Sequence, residues 1–219
     1  MKKVYLYSGY ERLWHWTQMV LIMVLIVTGF EVHGTYSLLG FITAVLVHDI
    51  AAISLVVLTV FTLFWDFVTG EWRQYIPTTN KLIDQVMFYI KGIFLREEHP
   101  VKKTIKHKFN PIQGFVYVGL KLFMLPLVMI TGVVYFFYQN SFFELEIASL
   151  EPFAILHTIG AFLIVMFVIV HVYLITTGAT VFSNLWAMIT GWEEMHDEEV
   201  EAIEKELSEE NKKFFNIID

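Results

Sequence analysis

The sequence predicts an all-α membrane protein: a bundle of four transmembrane helices with a cytoplasmic amphipathic helix in its middle loop and an acidic helical tail. Three observations predict this fold class. Of the 219 residues, 56% are hydrophobic and 17% are charged, whereas about 25% of residues are charged in soluble domains. The charged residues are separated from the apolar runs. Four of those runs are long enough to cross a bilayer, which takes about 20 apolar residues.

The four predicted spans cover approximately residues 13–32, 41–67, 115–138 and 153–178. Short loops follow the first and third spans, and a polar stretch, residues 72–110, separates the second span from the third. We therefore expect residues 1–191 to form one membrane domain and residues 192–219 to form a cytoplasmic acidic tail.

The distribution of Lys and Arg predicts the orientation of the spans. Of the 15 Lys and Arg residues, all but Lys121 lie in the N-terminal segment, the middle loop or the tail. The loops after the first and third spans have none. Because cytoplasmic loops of membrane proteins carry an excess of Lys and Arg, we expect both termini and the middle loop in the cytoplasm.

Two segments outside the spans have helical patterns. In residues 80–95 the apolar side chains recur at helical spacing, with Lys81, Asp84 and Lys91 between them. This pattern predicts an amphipathic helix on the cytoplasmic membrane surface or under the bundle. The acidic tail is interpreted as a charged helix or a partly disordered segment, either solvated or docked on a cytosolic partner.

Four of the eight histidines lie within the predicted spans, where ionisable residues are usually functional. His157 and His171 are 14 residues apart on one helix, so they lie within about 40° of the same face with a rise of about 21 Å. His48 is predicted at the depth of His157, and His15 at the depth of His171. We call His48 and His157 the outer pair, and His15 and His171 the inner pair.

Each pair is placed to hold one haem b between helices of the bundle. The chain has no cysteine, which excludes disulfides, iron–sulfur clusters, thiolate zinc sites and covalent c-type haem. One alternative is that each histidine only forms a hydrogen bond to a neighbouring helix. A second is that the protein is a transporter or channel in which the histidines carry protons across the membrane. Another is a zinc or di-iron site, which usually takes carboxylates or a third histidine. The carboxylates considered for it, Glu31 and Asp49, lie near the outer rim.

Other residues are candidates to support the haems. Arg12 and Lys121 are candidates to pair with propionates of the inner haem, Lys121 by extending its side chain towards the cytoplasm. Gly29, Gly132, Gly160 and Gly119 are candidates to let a porphyrin approach the helix backbone; the alternative is that they serve helix packing, the commoner role of small residues in membrane helices. We also expect each ligating imidazole to donate from its other nitrogen to a backbone carbonyl one turn earlier. His33 is interpreted as a surface or partner-contact residue.

The sequence contains four short motifs: Arg12-x-x-His15-Trp16, Thr28-Gly29, Asn110-Pro-Ile-Gln113 and the His-x13-His of the fourth span. Together these motifs resemble those of the di-haem cytochrome b subunits of bacterial respiratory enzymes. That family includes the membrane subunits of nickel–iron hydrogenases, formate dehydrogenases and the thiosulfate reductase type. The similarity extends to about Gly191, and the histidine spacing is its most specific part.

The resemblance implies a quinone-reactive anchor subunit in the bacterial inner membrane. Electrons would pass through two haem b groups between the membrane quinone pool, menaquinone or ubiquinone, and an extracytoplasmic redox subunit. That partner would be an iron–sulfur protein, a hydrogenase-type enzyme or a multihaem cytochrome c. The alternative is a free-standing di-haem quinone oxidoreductase that acts on a small soluble electron donor or acceptor.

The resemblance also implies a quinone site near the inner haem, formed by Asn110, Gln113 and His171. From the sequence alone, Asn110-Pro111 is typical of a helix N-cap with Pro in the first helical position. Both interpretations hold together if a capping turn forms the mouth of the site. His107 is a nearby candidate proton carrier.

Overall fold

The structure is a computed structural model that describes residues 2–95, 100–101, 108–140, 149–178, 180–195, 197, 200–201, 203–205 and 207–208. Four of its helices are long and apolar enough to cross a membrane: Gly9–Val32, Phe41–Thr69, Pro111–Gln139 and Glu151–Ile175. The predicted fold class, a helical membrane protein with four spans, is therefore confirmed.

The helices and strands follow the predicted spans closely. Among the described residues, the α-helices are α1 (Gly9–Val32), α2 (Phe41–Thr69), α3 (Leu82–Met87), α4 (Ile93–Leu95), α5 (Pro111–Gly119), α6 (Leu125–Asn140), α7 (Glu151–Ile175) and α8 (Ser183–Thr190). The strands are β1 (Lys2–Tyr5) and β2 (Trp192–Met195). A 3-10 helix, Glu71–Tyr75, follows α2.

The first span begins four residues before the predicted boundary because its N-terminus is capped. The backbone N–H of Ser8 donates to Glu11 Oε2 at 2.8 Å, and the N–H of Glu11 donates to Ser8 Oγ at 3.3 Å. This reciprocal pair is a capping box, which satisfies backbone groups that a helix end leaves unpaired.

The third span is interrupted by a wider turn. A π-helical turn, Leu120–Met124, lies between α5 and α6 and carries Lys121.

The amphipathic helix predicted for residues 80–95 is divided into short pieces. A second π turn, Phe88–Gly92, lies between α3 and α4. Gly92 ends that turn, and glycine favours a regular helix less than any residue except proline.

The chain divides into two compact units. The first contains Met1–Arg12, Trp72–Val118 and Val172–Asp219, and the second contains Leu13–Glu71 and Gly119–His171. The second unit holds most of the residues of the four spans.

In the first unit the N-terminal strand pairs with the start of the acidic tail. β1 and β2 are antiparallel, with Lys2 opposite Met195 and Tyr5 opposite Trp192. Met195, Val200 and Ile203 form a small apolar core against Val4. The tail therefore starts as a strand, which its charged composition does not predict, and the described residues 200–208 are helical.

In the second unit the helices pack through small residues and expose large apolar ones. A Cβ atom at Gly160 would lie 2.6 Å from Val128 Cγ1, so α7 lies directly against α6 at this point. On the surface, Ile42 is 84% exposed and Phe67 is 80% exposed. Exposure of large apolar side chains over entire helices is expected where lipid surrounds the protein.

Candidate functional site

The four histidines of the predicted spans lie in two facing pairs in the second unit. In the outer pair, the ring centres of His48 on α2 and His157 on α7 are 6.4 Å apart. In the inner pair, the ring centres of His15 on α1 and His171 on α7 are 6.2 Å apart. The structure thus brings together both predicted pairs, and helix α7 contributes one imidazole to each.

The spacing of both pairs suits one metal ion between two imidazoles. Two metal–nitrogen bonds of about 2 Å and about 1.2 Å from each nitrogen to its ring centre place the centres roughly 6.4 Å apart. A direct hydrogen bond between the rings would bring the centres to roughly 5.3 Å. The observed 6.2 and 6.4 Å match the first arrangement.

The described residues supply only these two imidazoles at each position. Among them, no group of three or more His, Asp or Glu side chains is placed to hold a metal ion. An iron between two imidazoles would take its other ligands from a macrocycle such as porphyrin. The donor set of two facing imidazoles therefore fits haem.

Threonine side chains orient both imidazoles of the outer pair. Thr28 Oγ1 lies 2.9 Å from Nδ1 of His48, and Thr131 Oγ1 lies 2.9 Å from Nδ1 of His157. Each hydroxyl donates its only hydrogen to the carbonyl four residues earlier, at 2.7 and 2.6 Å respectively. Each hydroxyl oxygen therefore accepts from the ring, which places the proton on Nδ1 and leaves Nε2 able to bind a metal.

The partner of the second ring nitrogen differs from our expectation. The expected partner is a backbone carbonyl one turn earlier, whereas a threonine on the neighbouring helix contacts each ring: Thr28 on α1 for His48 and Thr131 on α6 for His157. The backbone carbonyls of Leu25 and Val128, three residues before these threonines, also hydrogen-bond to the two imidazoles.

The glycine beside each threonine makes room for the imidazole. A Cβ atom at Gly29 would lie 3.5 Å from Cε1 of His48, and one at Gly132 would lie 3.3 Å from Cε1 of His157. The predicted role of these glycines, close approach to the backbone, therefore applies to the imidazole rings. The motif Thr-Gly against His occurs twice, once between α1 and α2 and once between α6 and α7.

The inner pair has different surroundings. The ring of His171 stacks on Phe167, with centres 5.7 Å apart and planes 14° apart. The ring of His15 meets Trp16 edge-on at 5.3 Å. Nδ1 of His15 is buried and has no hydrogen-bond partner among the described residues. Because a buried nitrogen without a partner is costly, this ring is suited to gain a partner from a bound group.

The two candidate propionate partners both contact protein groups. Nη1 of Arg12 donates to the carbonyl of Ile189 at 2.7 Å, within the first unit. Nζ of Lys121 lies 2.7 Å from Oδ2 of Asp66, within the second unit. Sequence reasoning missed Asp66 because it is one residue from the predicted end of its span. The signal that was available is Lys121 itself, a lone cation in the third span that needs an anion.

The predicted quinone residues of the first unit, Asn110 and Gln113, are hydrogen-bonded to each other. The backbone N–H of Gln113 donates to Asn110 Oδ1 at 2.9 Å, and the N–H of Asn110 donates to Gln113 Oε1 at 3.0 Å. The predicted N-cap at Asn110 is therefore confirmed, with Pro111 in the first helical position. Nδ2 of Asn110 also donates to the hydroxyl of Tyr89 at 2.9 Å. The third predicted quinone residue, His171, lies in the second unit.

Of the other four histidines, only His33 lies among the described residues. Nε2 of His33 is 3.4 Å from Thr158 Oγ1, and His33 is exposed, as expected for a surface residue. The candidate proton carrier His107, together with His99 and His196, lies outside the described residues.

The chain is similar to prokaryotic cytochromes over most of its length. Residues 6–191 match the sequence model of the family described as prokaryotic cytochrome b561. Cytochrome YdhU of Escherichia coli K12 is 30% identical over 201 residues, which are 87% of this chain and 75% of that protein. The Ni/Fe-hydrogenase B-type cytochrome subunit of Rhodobacter capsulatus is 27% identical over 195 residues, which are 78% of this chain and 72% of that subunit. The family match covers all four membrane-crossing helices.

Proposed function

Since the chain belongs to the prokaryotic cytochrome b561 family, we propose that it is a di-haem electron carrier with one haem b at the outer pair and one at the inner pair. The observation that supports this proposal is the spacing of the two imidazole pairs, 6.4 and 6.2 Å between ring centres. A haem bound between each pair supplies an iron that takes up and releases one electron.

The protein's own residues hold and orient the ligands. The hydroxyls of Thr28 and Thr131 keep Nδ1 of the outer imidazoles protonated, so that Nε2 is available to the iron. Helix α7 fixes the separation of the two sites because it carries both His157 and His171, with a rise of about 21 Å between them. Such a rise covers much of the hydrocarbon core, which is about 30 Å thick.

The proposed reaction is electron transfer between an extracytoplasmic redox partner and the membrane quinone pool. The name of the Rhodobacter capsulatus relative, a cytochrome subunit of a Ni/Fe-hydrogenase, supports a hydrogenase-type partner. An iron–sulfur protein or a multihaem cytochrome c would serve the same role. The excess of Lys and Arg at the termini and middle loop supports an orientation in the bacterial inner membrane with both termini in the cytoplasm.

The proposed quinone residues are Asn110, Gln113 and His171. The capping box fixes the amide groups of Asn110 and Gln113 in one orientation. Gln113 Oε1 accepts from the backbone, so its amide nitrogen is held as a donor, and a donor is what a quinone carbonyl requires. Menaquinone and ubiquinone share this carbonyl chemistry.

The haem content of histidine variants tests the proposal. We expect two haems per chain in the purified protein, and we expect His157→Ala to lose one of them while the other keeps its absorption spectrum. His171→Ala should lose the other haem. The matched control is His33→Ala, which changes an exposed histidine outside both pairs and should keep both haems. Loss of both haems or of neither in His157→Ala, measured by reduced-minus-oxidised spectra and haem extraction, would contradict the pairing.

A further inference from the structure

The second unit contains an ion pair within its membrane-spanning helices. Nζ of Lys121 lies 2.7 Å from Oδ2 of Asp66, and the two side chains are only 20% and 10% exposed. Asp66 lies three residues before the end of α2 at Thr69. Charges inside a membrane are costly and are usually functional. Because buried ion pairs seldom add net stability, this pair calls for a role other than holding α2 against the third span.

The position of Lys121 relates the pair to the inner histidines. Lys121 is carried by the π turn Leu120–Met124, and such turns are frequent at functional sites because they redirect a side chain within a helix. Its ammonium lies 5.8 Å from the ring centre of Trp14, and Trp14 immediately precedes His15. The ion pair thus contacts the same turn of α1 that supplies one imidazole of the inner pair.

We propose that Asp66 positions the ammonium of Lys121 as a fixed charge that sets the reduction potential of the haem at the inner pair. The proposal rests on the proposed function, since it requires a haem between His15 and His171. A reduced haem carries one positive charge less than an oxidised haem, so a nearby cation stabilises the reduced form and a nearby anion stabilises the oxidised form. Asp66 is a positioning residue, because it acts by holding and partly offsetting Lys121.

Removal of the two charges is expected to shift the reduction potential of the inner haem in opposite directions. Lys121→Met removes the cation and lowers the potential of the inner haem, whereas Asp66→Asn removes the anion and raises it. We expect about a tenfold change in the ratio of reduced to oxidised haem, the order of magnitude for a unit charge that acts through an effective dielectric of about 20. For a one-electron couple this corresponds to about 59 mV.

A redox titration of the purified protein, followed by haem absorption, measures the reduction potentials of the two haems as two components of the titration curve. His157→Ala, which is expected to lack the outer haem, identifies the component of the inner haem. We expect the outer component to stay unchanged in each variant. The double variant Asp66→Asn/Lys121→Met removes both charges, and its potential should lie between those of the two single variants. It also remains informative if Asp66→Asn does not accumulate. The matched control is Asp49→Asn, the same change at the opposite end of α2, which should leave the inner component unchanged.

The inference is overturned if two haems are present but neither Lys121→Met nor the double variant shifts the inner component. It is also overturned if both components shift equally, because a structural disturbance would then explain the result. A wild-type protein with only one haem would instead contradict the proposed function, so the two failures are distinguishable.

Discussion

Two threonine hydroxyls determine what the outer histidines present to a metal ion. Thr28 and Thr131 each accept from an imidazole while donating to their own helix backbone. A neutral imidazole can occupy either of two tautomers, and the hydrogen bond at Nδ1 selects the one whose Nε2 is free of hydrogen. The hydroxyls therefore contribute to metal affinity without touching the metal.

Replacing one of these hydroxyls should weaken the outer haem site selectively. We expect Thr131→Val to reduce the affinity for the outer haem about 10- to 100-fold, the usual effect of removing a hydrogen bond that orients a metal ligand. The inner haem should be unaffected. Titration of haem into the haem-free protein in detergent, followed by absorption, measures both affinities.

Thr62→Val is the matched control for this experiment. Thr62 is buried in α2, and its hydroxyl donates to the carbonyl four residues earlier, as that of Thr131 does, but it is not paired with a histidine in the hydrogen bonds described above. If Thr62→Val weakens the outer haem as much as Thr131→Val does, the orienting role of Thr131 is wrong.

A half-buried tyrosine makes the first unit sensitive to high pH. Desolvation raises the pKa of Tyr7 well above its usual value, and the carboxylates of Glu193 and Glu11 add to the shift. An unfolded chain loses this proton near pH 10, whereas the folded chain keeps it. The free energy of unfolding should therefore fall as pH rises above about 10, by up to about 1.4 kcal/mol per pH unit.

Tyr7→Phe tests this dependence because phenylalanine has no proton to lose. We expect the variant to lose less stability than the wild type between pH 9 and pH 11, as measured by denaturant unfolding in detergent. Tyr5→Phe, a change at an exposed tyrosine on β1, should behave like the wild type. Equal slopes for the wild type and Tyr7→Phe would show that Tyr7 does not titrate differently in the two states.

The residues of the site differ in how far the sequence predicts them. The four histidines were predictable because an ionisable side chain in an apolar span is conspicuous, and helix geometry gives its depth. Thr28 and Thr131 were not predictable as partners, since threonine in a helix usually bonds only its own backbone. Asp66 was missed because, at the predicted end of a span, it resembles an ordinary interfacial residue.

The outer ends of α1 and α2 are joined by a short connection that depends on one carboxylate. Oε1 of Glu31 accepts from the backbone N–H groups of Leu38, Leu39 and Gly40 at 2.7, 2.7 and 2.8 Å. Glu31 itself is only 4% exposed. It lies one turn after Thr28, so this clamp also holds the register of α1 against α2 on which the contact between Thr28 and His48 depends.

Removing the clamp should destabilise the protein and loosen the outer site. We expect Glu31→Ala to lower the free energy of unfolding, because three backbone N–H groups lose their charged acceptor. Glu31→Gln retains an acceptor oxygen and should lose less. Thermal unfolding in detergent measures the change, and Glu151→Ala at the exposed start of α7 is the control. A Tm for Glu31→Ala equal to that of the control would contradict the clamp.

The elements divide into those predicted by hydrophobic length and those that depend on contacts distant in sequence. The four spans follow from runs of about 20 apolar residues, and the start of α5 follows from Asn110 and Pro111. The π turn at Lys121 leaves no mark in hydropathy, since it inserts a residue without changing composition. The strand β2 was not predicted because its partner β1 is at the other end of the chain, and a short charged segment becomes a strand only when it is paired.

Across the whole chain, charge and apolar surface are arranged for a membrane. The four long helices expose large apolar side chains, and 14 of the 15 Lys and Arg residues lie outside the four predicted spans. These two patterns were visible in the sequence because they depend only on composition and order. The division into two compact units was not visible, since each unit collects segments that are far apart in the chain.

The predicted orientation can be tested directly because the chain has no cysteine of its own. Thr35→Cys and Ser149→Cys place one exposed thiol on each loop that lacks Lys and Arg, and Thr79→Cys places one on the middle loop. Because the positive-inside rule places the middle loop in the cytoplasm, a membrane-impermeant thiol reagent added to intact spheroplasts should label the first two variants. It should label Thr79→Cys only after the membrane is permeabilised. The cysteine-free parent is the control for background labelling. If Thr79→Cys is labelled in intact spheroplasts and the other two variants are protected, the orientation is the opposite of the predicted one. The inner pair would then lie on the extracytoplasmic side.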